Sequence, residues 1–191
     1  MKRLLCILLL IPVLGFSQYT AIPDQNFEQA LIDLGFDDIL DGVVLTNNIN
    51  NITILNLSQL YISDLTGIEG FVSLQELDCS LNLLQNLDVS QNINLSLLNC
   101  VHNQITSLDL SNNVMLSVLA SESNQLSCLN LKNGNNINMS SNWFSAADNP
   151  NLNCIEVDDP NWATNNWTTA NYNIDAGTTF STNCNYPAGC F

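Results

Sequence analysis

The sequence predicts a β-rich, right-handed solenoid of short stacked coils with few helices, and three observations carry the prediction. Apolar residues recur with a 21-residue period between positions 50 and 157, an asparagine recurs in step with them, and the pattern changes at both ends of the periodic stretch. A stack of coils behaves this way, because one coil cannot bury its own apolar side chains and the terminal coils need covers of different composition. The chain has 191 residues, 46% of them hydrophobic, enough for a core. Its 18 Asp+Glu against 3 Lys+Arg give a formal net charge of −15. Nucleic acid and anionic membrane surfaces are therefore excluded as partners, since binding either needs basic side chains.

Residues 1–17 read as a secretory signal: Lys2 and Arg3, the apolar run Leu4 to Leu14, then Gly15 and Ser17 three and one positions before a cut ahead of Gln18. The run is shorter than the roughly 20 residues that span a bilayer, so no membrane insertion is expected. Cys6 lies inside the run and no cysteine follows it closely, which argues against a lipidated N-terminus. After the signal, Lys132 is the one remaining Lys or Arg, and six cysteines remain: Cys79, Cys100, Cys128, Cys154, Cys184 and Cys190. An even set in an exported chain is compatible with disulfides.

Residues 18–49 form the predicted N-terminal cap. Pro23 and Asp24 precede Phe27, Ala30, Leu31 and Leu34 at helical spacing, and Gly35 closes the run. This amphipathic helix would cover the first coil.

Residues 50–157 are the repeats. Leu74, Leu95 and Leu116 fall in step, as do Leu77, Leu98 and Leu119, then Asn82, Asn103 and Asn124, then Leu84, Ile105 and Leu126, and Leu87, Leu108 and Leu129. An earlier unit runs through Ile52, Leu55, Leu57, Ile62 and Leu65, with Leu60 in place of the asparagine, and a degenerate last unit runs through Phe144, Ala146, Asn149, Leu152 and Ile155. The columns spell LxxLxLxxNxL, the leucine-rich repeat pattern. Strands at Glu76–Ser80, Leu97–Val101 and Val118–Glu122 would pair as a parallel concave sheet, with the asparagine satisfying backbone groups inside the turn that follows. A second apolar line, Leu87/Val89, Leu108/Leu110 and Leu129/Leu131, predicts extended segments and not helices on the outer side.

Residues 158–191 form the predicted C-terminal cap, with Trp162, Trp167, Tyr172 and Phe180 as its bulky apolar groups. Cys154 and Cys184 bracket it, and their pairing would close a loop of about 30 residues worth roughly 3 to 4 kcal/mol in the chain-entropy model. Cys128–Cys154 with Cys184–Cys190 is the rival connectivity. Cys79 and Cys100 occupy an inward column with Leu57, Ser121 and Ala146, and read as small buried hydrophobes.

IPDQNFEQALIDLG from Ile22 to Gly35, DLTGIEGFVSLQELDCS from Asp64 to Ser80, LNLKNGNN at 129–136 and NPNLNCIEVDDP from Asn149 to Pro160 resemble secreted leucine-rich repeat proteins of flavobacterium-like bacteria. The resemblance covers nearly the whole exported chain, caps included. It implies export and an interaction role. Members of that group commonly continue into a C-terminal sorting domain that delivers them to the cell surface, whereas this sequence stops at Phe191; the expectation is either a truncated sequence or a chain that is simply exported.

No enzyme signature is present: one His, no nucleophile elbow, no phosphate loop and no CxxC pair. No cofactor or metal is expected, although Asp88, Asp109 and Glu156 recur on the outer side in nearly one column, interrupted by Asn130, as a weak calcium candidate. The remaining candidate is a surface. Residues flanking the inward leucines point out from the concave sheet, which selects Glu76, Asp78, Leu97, Asn99, Val101, Val118, Ala120 and Glu122 as a partner-binding patch, with an exposed aliphatic centre and an acidic rim. The functional expectation is an exported, monomeric, non-enzymatic module recognising a protein partner at or outside the cell surface. A carbohydrate- or matrix-binding adhesin is the first alternative, and a structural surface repeat with weak calcium dependence is the second.

Overall fold

The computed structural model describes residues 18–191, and the expected signal segment lies outside them. At the N-terminal end β1 (Tyr19–Ala21) pairs antiparallel with β2 (Val43–Leu45), bracketing α1 (Gln25–Asp33), and α2 (Thr46–Ile49) follows. Asp24 caps α1, accepting from the Asn26 and Phe27 amides, and Gly35, in the left-handed region at φ 79°, ends it. Phe27 and Leu31 point inward from the helix and are fully buried, with the Phe27 ring 6.2 Å from that of Phe71 in the first coils.

The coils build two parallel sheets on opposite sides of the core. The concave sheet runs β3 (Ile54–Asn56), β4 (Glu76–Asp78), β5 (Leu97–Asn99), β7 (Val118–Ala120), β9 (Phe144–Ser145), in that spatial order. Leu55, Leu77, Leu98, Leu119 and Phe144 stand in register across it, each at most 2% exposed. The outer sheet runs β6 (Ser107–Asp109), β8 (Cys128–Asn130), β10 (Cys154–Glu156), β11 (Thr179–Ser181). The second apolar line is therefore a sheet from Ser107 onward, while Leu87 and Val89 are buried but belong to no strand. The fold is a leucine-rich repeat solenoid.

Most strands are three residues long, shorter than expected, because the chain turns sharply afterwards: Leu81, His102, Ser123 and Asp148 all adopt positive φ of 53–56°. Hydrogen bonding between coils nevertheless runs on past the strands, with Cys79 N–H donating to Asn99 O and His102 N–H to Glu122 O.

The asparagine after each of these turns ties two coils together. Asn103 Nδ2 donates to the carbonyls of Cys100 in its own coil (3.1 Å) and Cys79 in the preceding one (3.0 Å), while its Oδ1 accepts from Leu84 N–H at 3.0 Å. Asn82, Asn124 and Asn149 repeat the arrangement. One amide side chain thus pairs buried backbone donors and acceptors that the turn would orphan. A second asparagine column escapes the repeat pattern read above: Asn113 Nδ2 donates to Val89 O and Asn92 O at the opposite corner, and Asn92 to Ile68 O, both residues being fully buried.

At the C-terminal end α3 (Pro160–Asn166), capped by Asp159, delivers Trp167 onto the last coil. Trp167 is 1% exposed, stacks on Phe144 at 4.1 Å, meets Trp162 edge-on at 5.3 Å, and donates its indole N–H to Met139 O. Disulfides join Cys154 to Cys184 and Cys128 to Cys190, linking the cap to two neighbouring strands of the outer sheet.

Candidate binding face

Alternation along each three-residue strand puts the middle leucine inward and its two neighbours on the concave surface. Glu76 and Asp78, Leu97 and Asn99, Val118 and Ala120 occupy that surface on β4, β5 and β7, with Val101 and Glu122 just past the strand ends. The expected exposed aliphatic centre is corrected: Leu97, Val101 and Val118 are half-buried. Leu97 stands in register between Glu76 and Val118, and side chains on adjacent strands about 4.8 Å apart cover one another's flanks. Large exposed apolar groups lie instead at the ends of the sheet, Ile54 on β3 and, beside β9, Trp143 (59% exposed) and Tyr172 (81%). Tyr172 was expected inside the C-terminal cap. It stands outside because it takes the left-handed turn position (φ 57°) just ahead of Asn173, as Asp148 does ahead of Asn149.

The acids of the face differ in how far they are already satisfied. Asp78 accepts from the Ser80 hydroxyl (2.6 Å) and amide with one oxygen and from Asn99 Nδ2 (3.1 Å) with the other, and Asn99 Oδ1 turns back to Val101 N–H. Its carboxylate is a structural part of the turn. The acidic outer column is used in the same way: Asp88, Asp109 and Asn130 each accept the amide two residues on, and Glu156 accepts Cys184 N–H at 2.9 Å. Only a side-chain oxygen is needed there, so Asp and Asn interchange.

Glu122 has no such partner. Its Oε2 is shielded from solvent without a hydrogen bond. It lines two adjoining depressions at the C-terminal end of the face, of about 440 Å³ and about 530 Å³. Val118, Ala120, Trp143 and Tyr172 line the first, and the exposed His102 and Tyr172 border the second. Ser145 Oγ donates to Tyr172 O at 3.1 Å, fixing the turn that presents the tyrosine, and Asp175 accepts the amides of Asp148 and Asn149 behind it. Nothing in the repeat columns points to Trp143 or Tyr172 as surface groups; the left-handed position before an asparagine is the one signal that does so for Tyr172.

Cys79 and Cys100 lie beneath this face, free and fully buried. Burial pushes the Cys100 thiol up to about 12, with the nearby Glu122 charge adding to the shift, and raises Cys79 well above the ordinary thiol range. Both are protonated at neutral pH and unsuited to nucleophilic or metal chemistry.

Among solved structures the fold is similar to that of the functional domain of InlJ from Listeria monocytogenes, which includes a cysteine ladder: 21% identity, TM-score 0.54, covering 74% of this chain and 38% of that one. An internalin, InlF, from the same species aligns with 18% identity and a TM-score of 0.53 over 73% of this chain and 52% of that one. The chain thus spans less than two thirds of either protein. These likenesses show the fold, a leucine-rich repeat solenoid. No family model and no curated protein matches the chain.

Proposed function

We propose that the chain is an exported, non-enzymatic binding module whose concave face recognises a protein partner outside the cell. The carrying observation is the composition of the C-terminal end of that face: two exposed aromatics, a half-buried apolar floor of Val118 and Ala120, and an unpartnered acid. Aromatic groups over an apolar centre are the ordinary makings of a protein-interface core. Two disulfides support an oxidising compartment. This agrees with removal of residues 1–17 as a signal and with residues 18–49 and 158–191 acting as covers for the repeats between them. The face acts as a monomer's surface.

Capture from the host's surface and medium tests this reading, with Leu97→Arg as control. Leu97 is in the middle of the face, in register beside Val118 of the first depression, so a charged arginine there is expected to block docking, and a denaturant melt checks that the variant keeps the fold. Capture of one protein by the parent and not by Leu97→Arg is expected; equal profiles overturn the reading. The same aromatics favour carbohydrate as the second reading, and a glycan array decides that case.

A further inference from the structure

Resting on that reading, we propose that the Trp143–Tyr172–Glu122 depression is a receptor for a guanidinium group, an arginine presented by the protein partner. Three observations converge on a cation. The Glu122 carboxylate is half-buried and one of its oxygens is shielded with no donor. A carboxylate held this way is costly unless a donor or counter-charge reaches it. No lysine or arginine of residues 18–191 can serve, because the only one, Lys132, follows β8 on the outer sheet. Finally, Trp143 and Tyr172 line the same depression and stand open to solvent, and aromatic faces attract cations.

Arginine fits better than lysine. A guanidinium plane stacks on an aromatic ring while its edge donates an N–H bond to the open Glu122 oxygen, Oε1, and brings positive charge beside the shielded Oε2, whereas an ammonium is a compact, strongly hydrated point charge. The half-buried Val118 and Ala120 would receive the methylene stem. The net charge of −15 draws basic partners to the whole molecule, but diffuse attraction distinguishes neither arginine from lysine nor Glu122 from other acids.

The test is a titration of the exported chain with the peptide acetyl-Gly-Gly-Arg-Gly-Gly-amide, with affinity read by isothermal calorimetry in every variant and the location read in the parent by the NMR signal of the Trp143 indole N–H. Replacing the arginine by citrulline is expected to weaken binding about tenfold, and by lysine about threefold. Glu122→Gln and Trp143→Ala should each weaken it about fivefold or more, with denaturant melts showing both folded, while the remote helix variant Asp33→Asn should stay within about twofold. Equal weakening by Glu122→Gln and Asp33→Asn overturns the proposal in favour of diffuse charge attraction. A neutral oligosaccharide, maltohexaose, moving the Trp143 signal at lower concentration than the peptide overturns it in favour of a glycan site. If the peptide fails to bind while capture still depends on Leu97, the guanidinium site is wrong and the concave-face reading stands; if both fail, both are wrong.

Discussion

At the N-terminal end the first coil is covered by a helix, and the contact is held by carboxylates gripping backbone. Asp24 caps α1 with one oxygen and with the other accepts the Ser63 hydroxyl and the Ser63 and Asp64 amides, while the buried Glu28 accepts the amides of Asp41, Gly42 and Val43. At the C-terminal end the last coil is covered by stacked aromatics around Trp167 and sewn to the outer sheet by two disulfides, with the Tyr186 hydroxyl accepting Leu129 N–H. Each cover must exclude water from an open apolar end and satisfy the backbone groups left there. Polar groups and glycine-permitted close packing do this at one end, and covalent closure around a bulky aromatic at the other. The two ends should therefore yield to different perturbations.

Reduction should produce the largest divergence. The bridges close loops with sequence separations of 30 and 62 residues. In the chain-entropy model each contributes about 3.5–4.5 kcal/mol. With reductant, amides of residues 158–191 are expected to lose hydrogen-exchange protection while those of α1 keep theirs. Equal loss at both ends would show that the solenoid unfolds as one unit and that the ends are not independent.

Cavity variants probe the covers without touching covalent bonds. Trp167→Ala and Phe27→Ala each remove a fully buried ring and should cost about 3–5 kcal/mol, each loosening its own end first. Leu98→Ala, midway in the stack, should cost about 2–5 kcal/mol and loosen both. Asn99→Ala on the outward side of the same strand should cost much less, and equal losses in denaturant melts would contradict the strand phase.

Gly67→Ala isolates the close packing of the N-terminal end. Gly67 has φ 104°, and a Cβ there would collide with the Ala21 carbonyl and the Ile22 side chain. About 1–3 kcal/mol is expected from the backbone conformation alone, with the collision added, seen as a lowered melting temperature and lost protection in α1. At Gly134, where φ is 79° and a Cβ would meet open space, only the backbone cost applies.

What could be read in the sequence follows the same division. The leucine columns and the asparagine ladder were legible because each is enforced once per coil, so the same demand recurs at a fixed spacing. Asn92 and Asn113 carry that spacing too, but in an asparagine-rich chain they pass for surface polarity until their carbonyl partners are seen. The depression at Glu122 was not legible as a whole. Glu122 belongs to a repeat, whereas Trp143 and Tyr172 come from the irregular last coil and cap, where no neighbour repeats the pattern. Tyr172 illustrates the physical reason: an aromatic in a cap is expected to fill it, and only the left-handed backbone ahead of Asn173 turns it outward. Likewise the choice between disulfide connectivities depends on β11 joining β10 in register, Cys154 opposite Thr179 and Glu156 opposite Ser181, which brings Cys184 back beside the strand it left.

Acid should separate the ends by the smallest margin, and its sign follows from Asp24. Burial pulls its carboxyl upward, but the Ser63 amide and hydroxyl with the Phe27 and Asp64 amides outweigh burial and hold it below the ordinary value of 3.8. A carboxylate with a lowered folded pKa contributes stability that is fully present above its unfolded value. That stability is lost as pH falls through the folded one. Asp37 in the same cap opposes this: burial, then the charges of Glu28, Asp41 and Asp38, raise it despite the Asp38 amide, so its protonation on acidification favours the fold. The N-terminal cap should thus loosen only below about pH 4, after Asp37 has relieved its repulsion. The disulfide-closed end should keep its protection there. Asp24→Ala is expected to cost about 0.5–2 kcal/mol at neutral pH and to flatten the acid limb of the N-terminal transition. An unchanged limb in that variant, followed by hydrogen exchange of α1 between pH 5 and 2.5, would assign acid sensitivity to the other carboxylates and remove Asp24 as the clasp between helix and first coil.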